Sequence, residues 1–205
     1  FVLISVNYRL LPKTGPLEQA QDVAKALAMA QSKAASWGAD PTKFVLMGHS
    51  AGAHLVSLVN AAPEMAYALG AKPWLGTVSL DSAAYDVVKI MQAKHPRLYD
   101  KAFGKDVSYW RSNSPAHVLT ASAKPLLAVC SKPRSDGACT QSAEFVAKLQ
   151  ALGVRARVLE QDLSHGDVNT KLGLPGSYTD TVESFMAELG AKAMGSTTAP
   201  ARPAQ

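Results

Sequence analysis

Short runs of β-branched and aliphatic residues alternate along this chain with stretches of helical periodicity, and that alternation restricts the fold more than any other feature. The runs are Phe1 to Tyr8, Phe44 to Met47, Thr77 to Leu80, Leu126 to Cys130 and Val154 to Leu159. After the first, apolar residues at Leu17, Ala20, Ala24, Leu27, Ala30, Ala34 and Trp37 step by three and four along one helix face, and Gly38 is placed to end it. Further helices are expected from Ala51 to Asn60, Val87 to Lys94, Thr140 to Leu152 and Tyr178 to Leu189. Strands joined in sequence through helices run parallel, and a parallel sheet is covered on both faces. The expected fold class is therefore α/β, a mostly parallel sheet with helices on both faces.

With 205 residues, 47% of them hydrophobic, the chain can bury one sizeable core. No internal repeat or linker divides it, so residues 1–194 read as one domain, with an irregular, cap-like insertion over about 81–124. Residues 195–205, rich in Ala, Thr, Ser and Pro, read as a flexible tail. The 21 Lys and Arg exceed the 16 Asp and Glu by a net +5 but are scattered, whereas a nucleic-acid-binding face clusters its cations. No apolar run is long enough for a membrane span. The opening run, without Met or charged leader, reads as a strand entered midway, so the natural beginning is expected upstream.

The chemistry is carried by Gly48-His49-Ser50-Ala51-Gly52, a G-x-S-x-G arrangement between an expected strand and an expected helix. A strand that turns abruptly into a helix forces its middle residue to positive φ and crowds the positions two before and two after, where glycine fits. The turn lifts the Ser50 hydroxyl above the sheet and leaves the Ala51 N–H at a helix N-terminus, able to donate to an oxyanion. The competing reading is a glycine-rich loop that only turns or binds an anion.

A serine needs a base and an oriented acid to act as nucleophile. Of five histidines, His49 lies inside the turn, His54 one helical turn beyond it, and His95 and His117 in the insertion. His165 follows the last strand in a flexible Ser-His-Gly-Asp stretch and is the expected base. Asp136, in the loop after the Leu126-to-Cys130 run, is the expected acid, and Asp81, ending the preceding strand, is its rival. Asp162 and Asp167 stand too close to His165 in sequence to be favoured. Cys130 and Cys139 bracket Asp136. They lack the spacing and histidine neighbours of a zinc site, leaving a disulfide or a reduced pair. The disulfide is favoured: it would hold Asp136 near His165 and place the protein in an oxidising compartment, secreted or periplasmic; a reduced pair would fit the cytoplasm.

These residues resemble the α/β-hydrolase superfamily, in its esterase and lipase branch. The resemblance rests on Val6-Asn7-Tyr8-Arg9-Leu10-Leu11-Pro12, on Trp37-Gly38-Ala39-Asp40-Pro41, and on Gly48-His49-Ser50-Ala51-Gly52-Ala53-His54-Leu55. Ser164-His165-Gly166-Asp167-Val168-Asn169 is similar to the histidine loop of the same branch. Together they sit closest to feruloyl-esterase-like and arylformamidase-like members. The resemblance implies Ser50 as nucleophile, Asp136 as acid, His165 as base and Ala51 in the oxyanion hole, acting on a small-molecule ester without metal or organic cofactor. That superfamily carries a His-Gly-Gly type loop before the segment where this sequence opens, so its loop and first strands are expected to lie upstream. The alternatives are an amide hydrolase of the arylformamidase type and a non-catalytic binding protein on a hydrolase scaffold.

Overall fold

The β-branched runs become four parallel strands: β1 (Val45–His49), β2 (Gly76–Leu80), β3 (Leu126–Ser131) and β4 (Ala156–Gln161), in the spatial order β1-β2-β3-β4. The computed structural model describes residues 2–195, with side chains described through residue 190. Its helices begin with α1 (Pro16–Lys33), α2 (Ala51–Ala61) and α3 (Glu64–Ala68). Four short ones lie between β2 and β3: α4 (Val87–Met91), α5 (Arg97–Phe103), α6 (Val107–Ser112) and α7 (Pro115–Val118). The last are α8 (Ala138–Ala151), α9 (His165–Thr170) and α10 (Ser177–Gly195). Among the described residues no helix is long and apolar enough to cross a membrane.

Alternate residues of β2 face opposite layers. Val78 and Leu80, with Leu127 and Val129 of β3, pack against Tyr178, Val182, Phe185 and Leu189 of α10. Thr77 and Ser79 point the other way, wholly buried, and meet polar partners. Thr77 Oγ1 donates to Asn60 Oδ1 of α2 (2.7 Å), Ser57 Oγ of α2 donates to Ser79 Oγ (3.0 Å), and Ser79 Oγ shares a hydrogen bond with Tyr85 Oη (2.8 Å). Behind α2 lies α1, which buries Ala20, Val23, Ala24 and Leu27 against Leu55, Leu58 and Val59. On the same side, Phe145 and Leu149 of α8 cover Leu126 and Ala128, and the Tyr85 ring stacks on Phe145 at 4.7 Å. Helices thus lie on both faces of a parallel sheet.

Three expectations need correction. Residues 2–10 form no strand, and Phe1 lies outside the described residues. An extended run becomes a strand only where its N–H and C=O groups meet a neighbouring edge. Here Arg9 instead forks onto Asp22 of α1 through Nε and Nη2, each at 2.8 Å, and Tyr8 packs on the apolar layer of α1 and α2, while Leu3 is 92% exposed. The first helix ends at Lys33, before Trp37; a 3-10 turn (Ala34–Trp37) carries the chain to Gly38 at φ 69°. The insertion holds four helices, not one. Asp86 and Asp106 cap two of them by accepting from Lys89 N–H and Ser108 N–H. Pieces this short complete too few turns to display a period. The expected tail beyond Gly195 lies outside the described residues.

The pairing register sets Gly48 beside Ser79 and His49 beside Leu80, then Leu80 beside Val129 and Val129 beside Leu159. The carboxyl ends of all four strands therefore share one rim, where the segments after them carry Ser50, Asp81, Arg134 and His165.

Candidate active site

Ser50 sits between β1 and α2 at φ 57°, one of two described non-glycine residues with positive φ. Its N–H donates to Leu80 O (2.9 Å) and its carbonyl accepts from His54 N–H (3.1 Å), so sheet and helix together hold the turn. A Cβ at Gly48 would lie 2.4 Å from Gly52 O, a backbone clash that only glycine avoids. The expectation for Gly52 is corrected: a Cβ there meets nothing within 4 Å beyond its own helix backbone. Helix and strand approach each other across one of the two glycines. Ala51 opens α2, where the first N–H groups have no intrahelical acceptor, and it lines the pocket beside Ser50.

His165 is the first residue of α9. Ser164 caps that helix by accepting from Asp167 N–H and donates its own hydroxyl to Asp167 Oδ2 at 2.8 Å. Ser50 Oγ lies 2.9 Å from His165 Nε2, and His165 Nδ1 lies 2.6 Å from Asp81 Oδ2. A carboxylate only accepts, so Nδ1 carries the proton and donates to Asp81, leaving the Nε2 lone pair to accept from the Ser50 hydroxyl. Such a hydroxyl–imidazole–carboxylate chain can take a proton from an attacking oxygen and return it.

The carboxylate at the imidazole is the rival Asp81, not Asp136. Asp81 is fully buried at the end of β2, at φ 60°. Its N–H donates to Val129 O at 2.8 Å, and its Oδ1 accepts from Ser131 N–H at 2.8 Å, which turns Oδ2 toward His165. The Asp136 carboxylate, 41% exposed, is instead held in a fork by Arg134, with Nε to Oδ1 at 3.0 Å and Nη2 to Oδ2. Arg134 in turn reaches Asp81: Nη1 donates to Asp81 O (2.8 Å) and Oδ2 (3.0 Å), and lies 3.1 Å from His165 Nδ1. Burial pulls this guanidinium's pKa down, but the hydrogen bonds from both carboxylates outweigh it and raise it overall. Cys130 and Cys139 form the expected disulfide, tying the end of β3 to the first turn of α8. The residue the bridged loop brings to the imidazole is Arg134, a residue the sequence reading missed.

His49 was also missed. Its Nε2–H donates to the backbone carbonyl of His165 at 2.8 Å, and the two rings lie 4.5 Å apart between centroids. Burial is the main cause that lowers its pKa below the ordinary histidine value. His54 is enclosed: Nδ1–H donates to Ala84 O (2.8 Å), Nε2 has no partner among the described residues, and burial pushes its pKa down to about 4. His95 and His117 lie away from Ser50, on Asp100 (3.1 Å) and Asp86 (3.0 Å). A pocket of about 190 Å³ opens at Ser50, Ala51 and Arg134, its walls largely apolar and drawn from Leu11, Leu55, Leu98, Ala102 and Phe103.

No curated protein matches the sequence. Among solved structures, a truncated carbohydrate esterase from gut microbiota superposes with a TM-score of 0.77 at 17% identity, covering 91% of this chain and 73% of its own. An acetyl ester-xyloside bifunctional hydrolase from Caldicellulosiruptor lactoaceticus gives 0.73 at 19% identity, with 90% and 70% covered. Esterase 2 from Thermogutta terrifontis gives 0.69 at 20% identity, with 90% and 70% covered, and is also known phosphoramylated by tabun. These likenesses fix the fold. The BD-FAE family model matches residues 1–149, most of the chain, and with the strand–serine–helix turn in place this protein belongs to the BD-FAE family, on the α/β-hydrolase fold.

Proposed function

We propose that the protein hydrolyses carboxylic esters through an acyl-serine intermediate, with Ser50 as nucleophile, His165 as base and Asp81 in the place first expected for Asp136. The observation that carries this reading is the unbroken chain from Ser50 Oγ to His165 Nε2 and from His165 Nδ1 to Asp81 Oδ2, at 2.9 and 2.6 Å. As Ser50 Oγ bonds to the ester carbonyl carbon, its proton passes to Nε2. The buried Asp81 carboxylate holds the ring in the needed tautomer and stabilises its cation. The tetrahedral oxyanion is met by the Ala51 N–H. Collapse breaks the bond to the alkoxide, which leaves as the alcohol with the Nε2 proton. Water then repeats the sequence on the acyl-serine, releasing the acid and restoring Ser50. The apolar pocket walls suit the hydrocarbon part of an ester. That relatives of this fold are named esterases, one of them phosphoramylated by tabun, supports the same reading. The disulfide supports an oxidising, secreted or periplasmic location.

Hydrolysis of p-nitrophenyl butyrate by wild type and Ser50→Ala tests the proposal. The variant should keep its circular dichroism, lose at least about 10⁴-fold in kcat, and escape labelling by a fluorophosphonate. Equal hydrolysis by the two proteins would overturn it.

A further inference from the structure

The bridged loop does something at the site that the proposed reaction does not require. The Cys130–Cys139 disulfide closes it at both ends, and Ser131 N–H and Arg134 Nη1 both bind Asp81, one on each carboxylate oxygen. The Arg134 and His165 N–H groups converge on the same Oδ2. Asp136 grips the far side of the guanidinium in a fork, so the cation is anchored from behind and aimed forward.

Resting on the reading above, we propose that Arg134 is a positioning residue for this reaction, fixing the Asp81 carboxylate against His165 so that the imidazole stays aligned with Ser50. The hydrogen bonds from Arg134 and Ser131 leave Asp81 one orientation, so the imidazole keeps its alignment with Ser50. The groups facing the imidazole are His49 at the end of β1, Ser50 of the turn that follows, Asp81 just after β2, and Arg134 backed by Asp136 from the bridged loop. Asp167 lies on its own helix, and Tyr178 of α10 donates to Val168 O. Among the described residues, Arg134 is the cation within hydrogen-bond distance of the ring.

The test is kcat and KM for ester hydrolysis by wild type, Arg134→Met and Arg134→Lys, each alone and combined with Asp81→Asn, with the fluorophosphonate labelling rate of Ser50 followed in parallel. Arg134→Met should lower kcat by about tenfold or more, with labelling falling alongside and KM within about threefold of wild type. Arg134→Lys keeps the charge but not the fork, so it should recover part of that loss. Once Asp81→Asn is present, Arg134→Met should add less than about threefold, because Arg134 acts through that carboxylate. A full additional loss in the Asp81→Asn background, or a KM that rises while kcat holds, would overturn the proposal. Should Arg134→Met fail to fold, the same comparison made with Arg134→Lys decides it. Wild type that neither hydrolyses the ester nor labels at Ser50 would remove the proposed function itself; labelling and turnover with additive losses would remove only the role of Arg134.

Discussion

Asp81 and Asp136 bring the same carboxylate to one rim of the sheet, and their surroundings separate them. The first is enclosed and touches the imidazole; the second is held by a guanidinium and half open to solvent. Asp81→Asn should therefore lower kcat by about 10³- to 10⁴-fold, because the amide offers Nδ1–H a poorer acceptor and permits the wrong tautomer. Asp136→Asn should cost less than about tenfold. The assay is ester hydrolysis at neutral pH, and the reverse order would reinstate Asp136. The placement of Ser50 and His165 at one rim was legible in the sequence because each stands in a local pattern whose geometry is nearly fixed, a strand-to-helix turn and a segment after the last strand. Which carboxylate meets the imidazole was not. That depends on the relative heights of two strand ends and the reach of Arg134, and neither quantity is local in sequence.

At the scale of elements, the turn at Ser50 depends on how closely β1 and α2 approach. Gly48→Ala would drive a methyl group into the backbone of Gly52 and should cost about 1–3 kcal/mol. Gly52→Ala faces open space in a helix and should be neutral or stabilising by up to about 1 kcal/mol. Urea unfolding of both variants checks this, and equal costs would contradict the geometry. The helices α1, α2, α8 and α10 were readable because each buries a periodic face, and the strands because a parallel strand covered on both faces reads as a short apolar run, as in β2 and β3. Of the insertion's four helices only the one starting at Val87 was expected, since segments such as Val107–Ser112 owe their form to the Asp106 cap and to the packing of Trp110 against Phe103. The opening run misled for the complementary reason: its β-branched residues fit a strand, but propensity supplies no partner edge.

At the scale of the whole molecule, His54 ties stability to pH. Its pKa is held at about 4, against the ordinary 6.5 that the unfolded chain regains, so the unfolded state binds the extra proton between those values. Its contribution is full above about pH 6.5 and fades as pH falls toward 4, a loss of about 3 kcal/mol. His54→Gln should flatten that part of the stability curve, measured by urea midpoints at pH 7 and 4.5; an unchanged slope would reject the assignment. The hydroxyls and amide linking β2 to α2 have a mechanical consequence as well. Thr77, Ser79, Ser57 and Asn60 mesh like teeth, so the helix cannot slip along the sheet without stranding several polar groups in a dry interior. Because Ser50 stands at the head of that helix and Asp81 at the tip of that strand, this lock keeps the hydroxyl and the carboxylate in step.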